Sequence, residues 1–200
     1  MRPVAVIGPA QPPKGVSIQA FEAMCRTAFL LGRALACRHY PIICGGRPKG
    51  VMQAVAAGCC GAGGICIGIL PRLTDDATPG VIVMATDLGN ADEPIAKEKD
   101  ISRNRVLVRA ALCVFAVGGG PGTADELRFA WEDKKRVFGL NDPPNPKNYE
   151  KEIVWDVPDG PFSKHVDLDD ALNAFQNWVQ SRGPFELAGW KSETERSAKK

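Results

Sequence analysis

The sequence predicts an α/β fold, doubly wound around a mainly parallel sheet with helices on both faces. Three observations point there. Short apolar runs bounded by glycine or proline recur along the 200 residues. Stretches with helical spacing, about ten residues or longer, alternate with those runs. Several of the runs are apolar throughout, as expected of strands buried on both faces of a parallel sheet.

The elements follow in order. Val4–Ile7 is a short run rich in β-branched residues, ending at Gly8. Residues 9–15, PAQPPKG, read as a loop. Ser17 suits a helix N-cap and opens an amphipathic stretch through Arg38, with Phe21, Met24, Ala28, Leu31 and Leu35 at helical spacing. Residues 41–44 (PIIC) form a second strand that stops at Gly45 and Gly46, and a second helix begins near Gly50. Residues 65–70 (ICIGIL) and 81–84 (VIVM) are the third and fourth strands. Residues 85–100 are polar and loop-like. A helix over 101–111, an apolar strand over 112–117 (LCVFAV), a helix over 123–133 and a strand over 136–140 come next. Residues 141–147 (NDPPNPK) are a loop, 153–155 a short edge strand, and 167–180 an amphipathic helix. Residues 1–190 read as one domain and 191–200 as a polar, frayed tail.

Composition excludes several functions. Lys and Arg number 25 against 23 Asp and Glu, a net charge of +2, so no electrostatic footprint for nucleic acid is present. His39 and His165 are the only histidines, too few for a multi-histidine metal site, and no metal is expected. No run of about 18 uninterrupted apolar residues exists to span a membrane. The first ten residues lack a basic stretch followed by an apolar one, so a cytoplasmic protein is expected. The seven cysteines, at 25, 37, 44, 59, 60, 66 and 113, contain no C-x-x-C pair; they read as buried free thiols, Cys59 and Cys60 included. Met24 and Met52 read as core.

The glycines carry more information. Twelve of the 21 lie in two windows, residues 45–68 and 118–122, and each window opens where an apolar strand ends. Glycine lets a backbone approach an anion closely, and a helix N-terminus presents free N–H groups with partial positive charge. Neither window is a G-x-x-x-x-G-K-[ST] loop, and neither is a strict G-x-G-x-x-G, because Thr123 stands at the third position. Thr123 and Glu126 also fit S/T-x-x-E, a helix capping box that needs no ligand. That alternative leaves Gly118, Gly119 and Gly120 unexplained.

GGGPGTADE, residues 118–126, closely resembles the P-G-G-x-G-T-x-x-E signature of the Lonely Guy (LOG) family, part of the wider SLOG superfamily of Rossmann-like proteins once called lysine decarboxylase-like. Arg103, in SRNR, stands where that family carries its active-site arginine. ICGGRPKGVMQAVAAG and GAGGICIGILP resemble the family's other strand, glycine-turn and helix segment. The resemblance runs from about Val4 to Leu140. Two positions depart from it: Gly118 replaces the signature's proline, and Asn104 follows Arg103 where LOG enzymes usually carry lysine. In both respects the chain is more similar to the branch containing the molybdenum cofactor carrier proteins.

The resemblance implies a function in two versions. As a LOG-like phosphoribohydrolase, the protein would hydrolyse the N-glycosidic bond of a nucleoside 5′-monophosphate and need no cofactor. Glu126 would stabilise the oxocarbenium-like transition state and help activate water. Arg103 would bind phosphate or assist the leaving base. Gly118, Gly119, Gly120, Gly122 and Thr123 would hold the phosphate, with Asn104 beside them, and Gly45 and Gly46 would line the facing side. As a carrier, the protein would bind molybdenum cofactor without turnover. In either version the partner is a small phosphate-bearing ligand, AMP-like or a molybdopterin, and the protein is a homo-oligomer. The resemblance assigns no role to residues 141–200.

Overall fold

The computed structural model describes residues 2–72, 75–86, 102–143 and 160–182. Within them seven strands form one sheet: β1 Val4–Ile7, β2 Ile42–Cys44, β3 Cys66–Leu70, β4 Ile82–Ala85, β5 Val114–Val117, β6 Val137–Leu140 and β7 Phe162–Lys164. Five helices accompany them: α1 Ile18–Cys37, α2 Gly50–Gly61, α3 Arg103–Ala110, α4 Pro121–Glu132 and α5 Leu168–Gln180. The strand order is β4-β3-β2-β1-β5-β6-β7, and every pairing is parallel.

Side-chain alternation along the strands divides the core into two layers. Val4 and Val6 of β1, with Phe115 and Val117 of β5, face α1, α2 and α5. Ala5 and Ile7, with Val114 and Ala116, face α3 and α4. The sheet is therefore wound on both sides, as the unbroken apolar strands require. On the first face Leu31, Leu35, Val55 and Phe175 pack down on it; on the second, Leu107, Val108, Leu127 and Phe129 do so.

Capping residues start three of the helices. Ser17 Oγ accepts from the Ala20 N–H at 3.1 Å, and Ser102 Oγ from the Arg105 N–H at 3.3 Å. Asp167 Oδ1 accepts from the Asp170 N–H at 2.9 Å. Helix α4 starts differently. Gly120 is its N-cap, with no side-chain bond, and Pro121 occupies its first position. Proline suits that place because its fixed φ fits the helix and its missing N–H would be unpaired there anyway.

Some expectations are revised. The capping box does not form, because α4 begins at Pro121 and leaves Thr123 inside the first turn. The edge strand expected at 153–155 lies outside the described residues, as do the polar tail and most of the loops at 85–100 and 141–147. Among the described residues the outer strand on that side is β7, which residue pattern does not announce. Of the seven thiols, Cys44, Cys59, Cys66 and Cys113 are buried, Cys25 and Cys60 are half-buried, and Cys37 is exposed. Met24 and Met52 are buried as expected. No helix among the described residues is long and apolar enough to cross a membrane.

Candidate functional site

The strand order reverses at β1, which pairs with β2 on one side and β5 on the other. In an open parallel sheet, the loops leaving such a switch point turn to opposite faces and open a crevice at the strands' carboxyl ends. A cavity of about 440 Å³ lies there. Small-molecule sites span roughly 300–1,000 Å³, so the space suits a ligand larger than a bare anion. Its wall includes Gly8 after β1, Gly45 after β2, Met52 of α2, Arg103 of α3, and Gly120, Gly122, Thr123 and Glu126 at the start of α4.

Arg103 is the first residue of α3, and its guanidinium crosses to the end of β2. A Cβ built on Gly45 would lie 2.7 Å from Arg103 Nη1 and would collide with Met52 Sδ. Gly45 is thus the gap through which the arginine reaches the cavity. Arg103 Nε and Nη1 are buried and hydrogen-bond nothing among the described residues. Thr123 Oγ1, also buried, has no partner either. Native proteins rarely leave such donors unpaired, because each costs about 1–3 kcal/mol. A proline at the first helical position has no N–H, so the unbonded backbone donors of α4's first turn are those of Gly120, Gly122 and Thr123.

Glu126 faces the same cavity and is 7% exposed. Burial pushes its carboxyl up to about 7 from an ordinary 4.5; Arg103 opposes the rise and Asp125 adds to it. The site therefore holds a permanent cation beside a carboxyl that titrates near neutrality. That combination accepts an anion, and it can move a proton.

The remaining expected site residues divide by position. Asn104 is buried behind Arg103, off the cavity wall. Its Nδ2 donates to Asp125 Oδ2 at 2.9 Å and ties α3 to α4, while its Oδ1 has no partner among the described residues. Gly46, Gly118 and Gly119 are not on the wall. Gly46 packs against the Gly68 backbone. Gly118 has φ +56° and faces Met24, and a proline, with φ fixed near −65°, does not take that conformation. The departure from the family signature at this position thus has a backbone cause. Beside the glycine turn after β2, Arg47 pairs with Asp75 at 3.3 Å and does not line the cavity.

One part of the wall was not foreseen. Residues 9–14, the loop after β1, also line the cavity, and Pro9 lies close to Gly120 at the start of α4. Composition marks that segment only as a loop. Its role depends on β1 being central and followed by the crevice, which the strand order reveals.

A family model described as the SLOG cluster4 family matches residues 1–160. An uncharacterised protein of Archaeoglobus fulgidus is 35% identical over 123 residues, which cover 61% of this chain and 74% of that one. A cytokinin riboside 5′-monophosphate phosphoribohydrolase of Mycobacterium tuberculosis is 28% identical over 153 residues, 76% of this chain and 69% of that one. Among solved structures, the molybdenum cofactor carrier protein of Chlamydomonas reinhardtii superposes with a TM-score of 0.70 at 26% identity, covering 90% of this chain and 99% of that one.

Proposed function

The chain belongs to the SLOG cluster4 family, and from that premise we propose that it binds a small phosphate-bearing ligand of nucleotide type in the crevice between β1 and β5. One observation carries the reading: Arg103 and Thr123 turn buried, unpartnered donors toward a cavity beside the first turn of α4. A phosphate monoester supplies what they lack, since its oxygens accept from a guanidinium, a hydroxyl and helix N-terminal N–H groups together.

The same residues support N-glycosidic hydrolysis of a nucleoside 5′-monophosphate. Water bonds to the anomeric carbon, the bond from that carbon to the base nitrogen breaks, and the proton that the water loses ends on the departing base. Ionised Glu126 would steady the positive charge of the sugar and take a proton from the water. Because its carboxyl titrates near 7, turnover would rise with pH through that value. The relative from Mycobacterium tuberculosis supports this reading.

A second reading, a carrier of molybdenum cofactor, has its own support. The Chlamydomonas reinhardtii carrier is covered over 99% of its length. Glu126, held neutral below about 7, would then accompany a bound pterin phosphate without acting on it. A cytoplasmic location and assembly into homo-oligomers belong to the same proposal; Phe29 and Leu30 stand exposed on α1 for such assembly.

Incubation with AMP and a broad panel of nucleoside 5′-monophosphates separates the two. Release of free base with ribose 5-phosphate is expected of the hydrolase, and its absence across the panel sinks that reading. A pterin recovered by mass analysis after anaerobic purification supports the carrier, and failure to bind pterin phosphates counts against it.

A further inference from the structure

The loop after β1 is pinned at both ends. The Val51 N–H donates to Pro9 O at 3.1 Å, and a Cβ on Gly50 would run into the carbonyl groups of Pro9 and Ala10, so the start of α2 fixes one end. At the other end the Val16 N–H donates to Pro13 O at 3.0 Å and closes a turn over residues 13–16. Gly15, the third residue of that turn, has φ +84°, as a type II turn requires. Its second residue is Lys14, which is exposed to solvent and lines the cavity. A backbone set by the turn and a four-carbon stem therefore bring an ammonium to the cavity.

Lys14, Arg103 and Glu126 are the charged residues among the described wall. Arg47, nearby, is paired with Asp75; Lys14 has no ion pair or hydrogen bond among the described residues. A terminal phosphate monoester carries about −1.5 to −2 at pH 7, whereas a phosphodiester carries a single charge. Arg103 balances one negative charge, and the start of α4 about half of another. Ionised Glu126 would cancel one of the positive charges. A monoester is thus under-balanced by Arg103 and α4 alone, and Lys14 is the remaining cation on the wall.

We infer that Lys14 is a second cation for the ligand's phosphate, acting with Arg103 and making the crevice select a terminal phosphate monoester over a phosphodiester. This rests on the phosphate-binding reading above and adds a binding residue outside the glycine signature, together with the charge of the anion.

Calorimetric titration of the full chain tests it with ribose 5-phosphate and the methyl phosphodiester of the same sugar phosphate. The unaltered protein binds the monoester more tightly. In Lys14→Gln its affinity falls about fivefold at low ionic strength and less than about twofold at about 0.5 M salt, because an exposed charge is screened. The diester loses less than about twofold at either salt. Lys14→Arg keeps the charge and retains most of the affinity. Both variants melt as the unaltered protein does, since Lys14 has no partner to lose. Four results would each overturn the role of Lys14 and leave the phosphate site standing: no preference for the monoester, unchanged monoester affinity in Lys14→Gln, an equal loss for both probes, or a loss in Lys14→Arg as large as in Lys14→Gln. Failure of the unaltered protein to bind ribose 5-phosphate overturns the phosphate site and the role of Lys14 together.

Discussion

Two polar clusters on this sheet end up in opposite conditions. At its outer edge, Ser163 and His165 of the β7 region meet Asp170 of α5. Ser163 Oγ lies 2.8 Å from His165 Nε2 and accepts from Arg136 Nη2 at 3.1 Å, and His165 Nδ1 lies 2.9 Å from Asp170 Oδ2. The order of residue types resembles a nucleophile relay, yet the serine hydroxyl and both ring nitrogens of the histidine have partners within the protein. Arg136 Nε is the one buried atom there without a partner among the described residues. In the crevice, Arg103 Nε and Nη1 and Thr123 Oγ1 have no such partners among the described residues. The first cluster ties strand to helix. The second keeps open donors that a ligand can fill.

The comparison breaks or sharpens under four substitutions. Arg103→Ala has the largest effect. Affinity for ribose 5-phosphate falls by about 2–4 kcal/mol, roughly 30- to 1,000-fold, while the melting temperature stays level or rises, because two buried guanidinium nitrogens without hydrogen-bond partners among the described residues are gone. A lowered melting temperature with unchanged affinity would make the crevice a structural cluster like the other.

Glu126 comes second. The folded protein holds this proton more tightly than the unfolded chain does, since its carboxyl is raised to about 7. The stability it contributes is full below the ordinary value of 4.5 and is lost as pH rises through 7, about 3 kcal/mol in all. Urea unfolding at pH 5 and pH 8 measures the loss. Glu126→Gln flattens the slope, abolishes any base release and leaves phosphate binding largely intact; turnover surviving in that variant would remove Glu126 from the chemistry.

Ser163→Ala comes third and acts on the satisfied cluster. It strands His165 and Arg136 and lowers stability by about 1–3 kcal/mol, with phosphate affinity untouched. A change in affinity instead would tie the edge cluster to the ligand. Thr123→Ala is the smallest. With no cap to lose, stability holds, while affinity drops about fivefold, near 1 kcal/mol, and Thr123→Ser restores it. Loss of stability with constant affinity would revive the capping role.

Residue pattern was enough to read the alternation of strands and helices, because apolar runs buried on both faces look alike wherever they fall in the chain. It missed β7, whose FSK has one apolar residue and takes its place from pairing with β6. The start of α4 was misread because S/T-x-x-E imitates a cap, whereas Pro121 sets the first position two residues earlier. Arg103 and Glu126 were legible through motif and spacing, and the cavity brings both together. Glycine content could not separate Gly45, which makes room for Arg103, from Gly46 and Gly118, which serve the backbone. The proline loop carries no motif, so its place on the cavity wall emerges only from three-dimensional strand order.

Strand order also governs when the crevice can form. Its two floor strands, β1 and β5, pair Ala5 with Val114, more than one hundred residues apart. Closing so long a loop is entropically costly, and sheets made of distant parallel pairings fold slowly. The β1–β2 and β2–β3 pairings close shorter loops and can assemble first. Arg103 and Glu126 both belong to the later half of the chain. During synthesis, then, the growing protein can carry a half-built sheet with the edge of β1 open, and ligand recognition arrives with the closing of the last long-range pair.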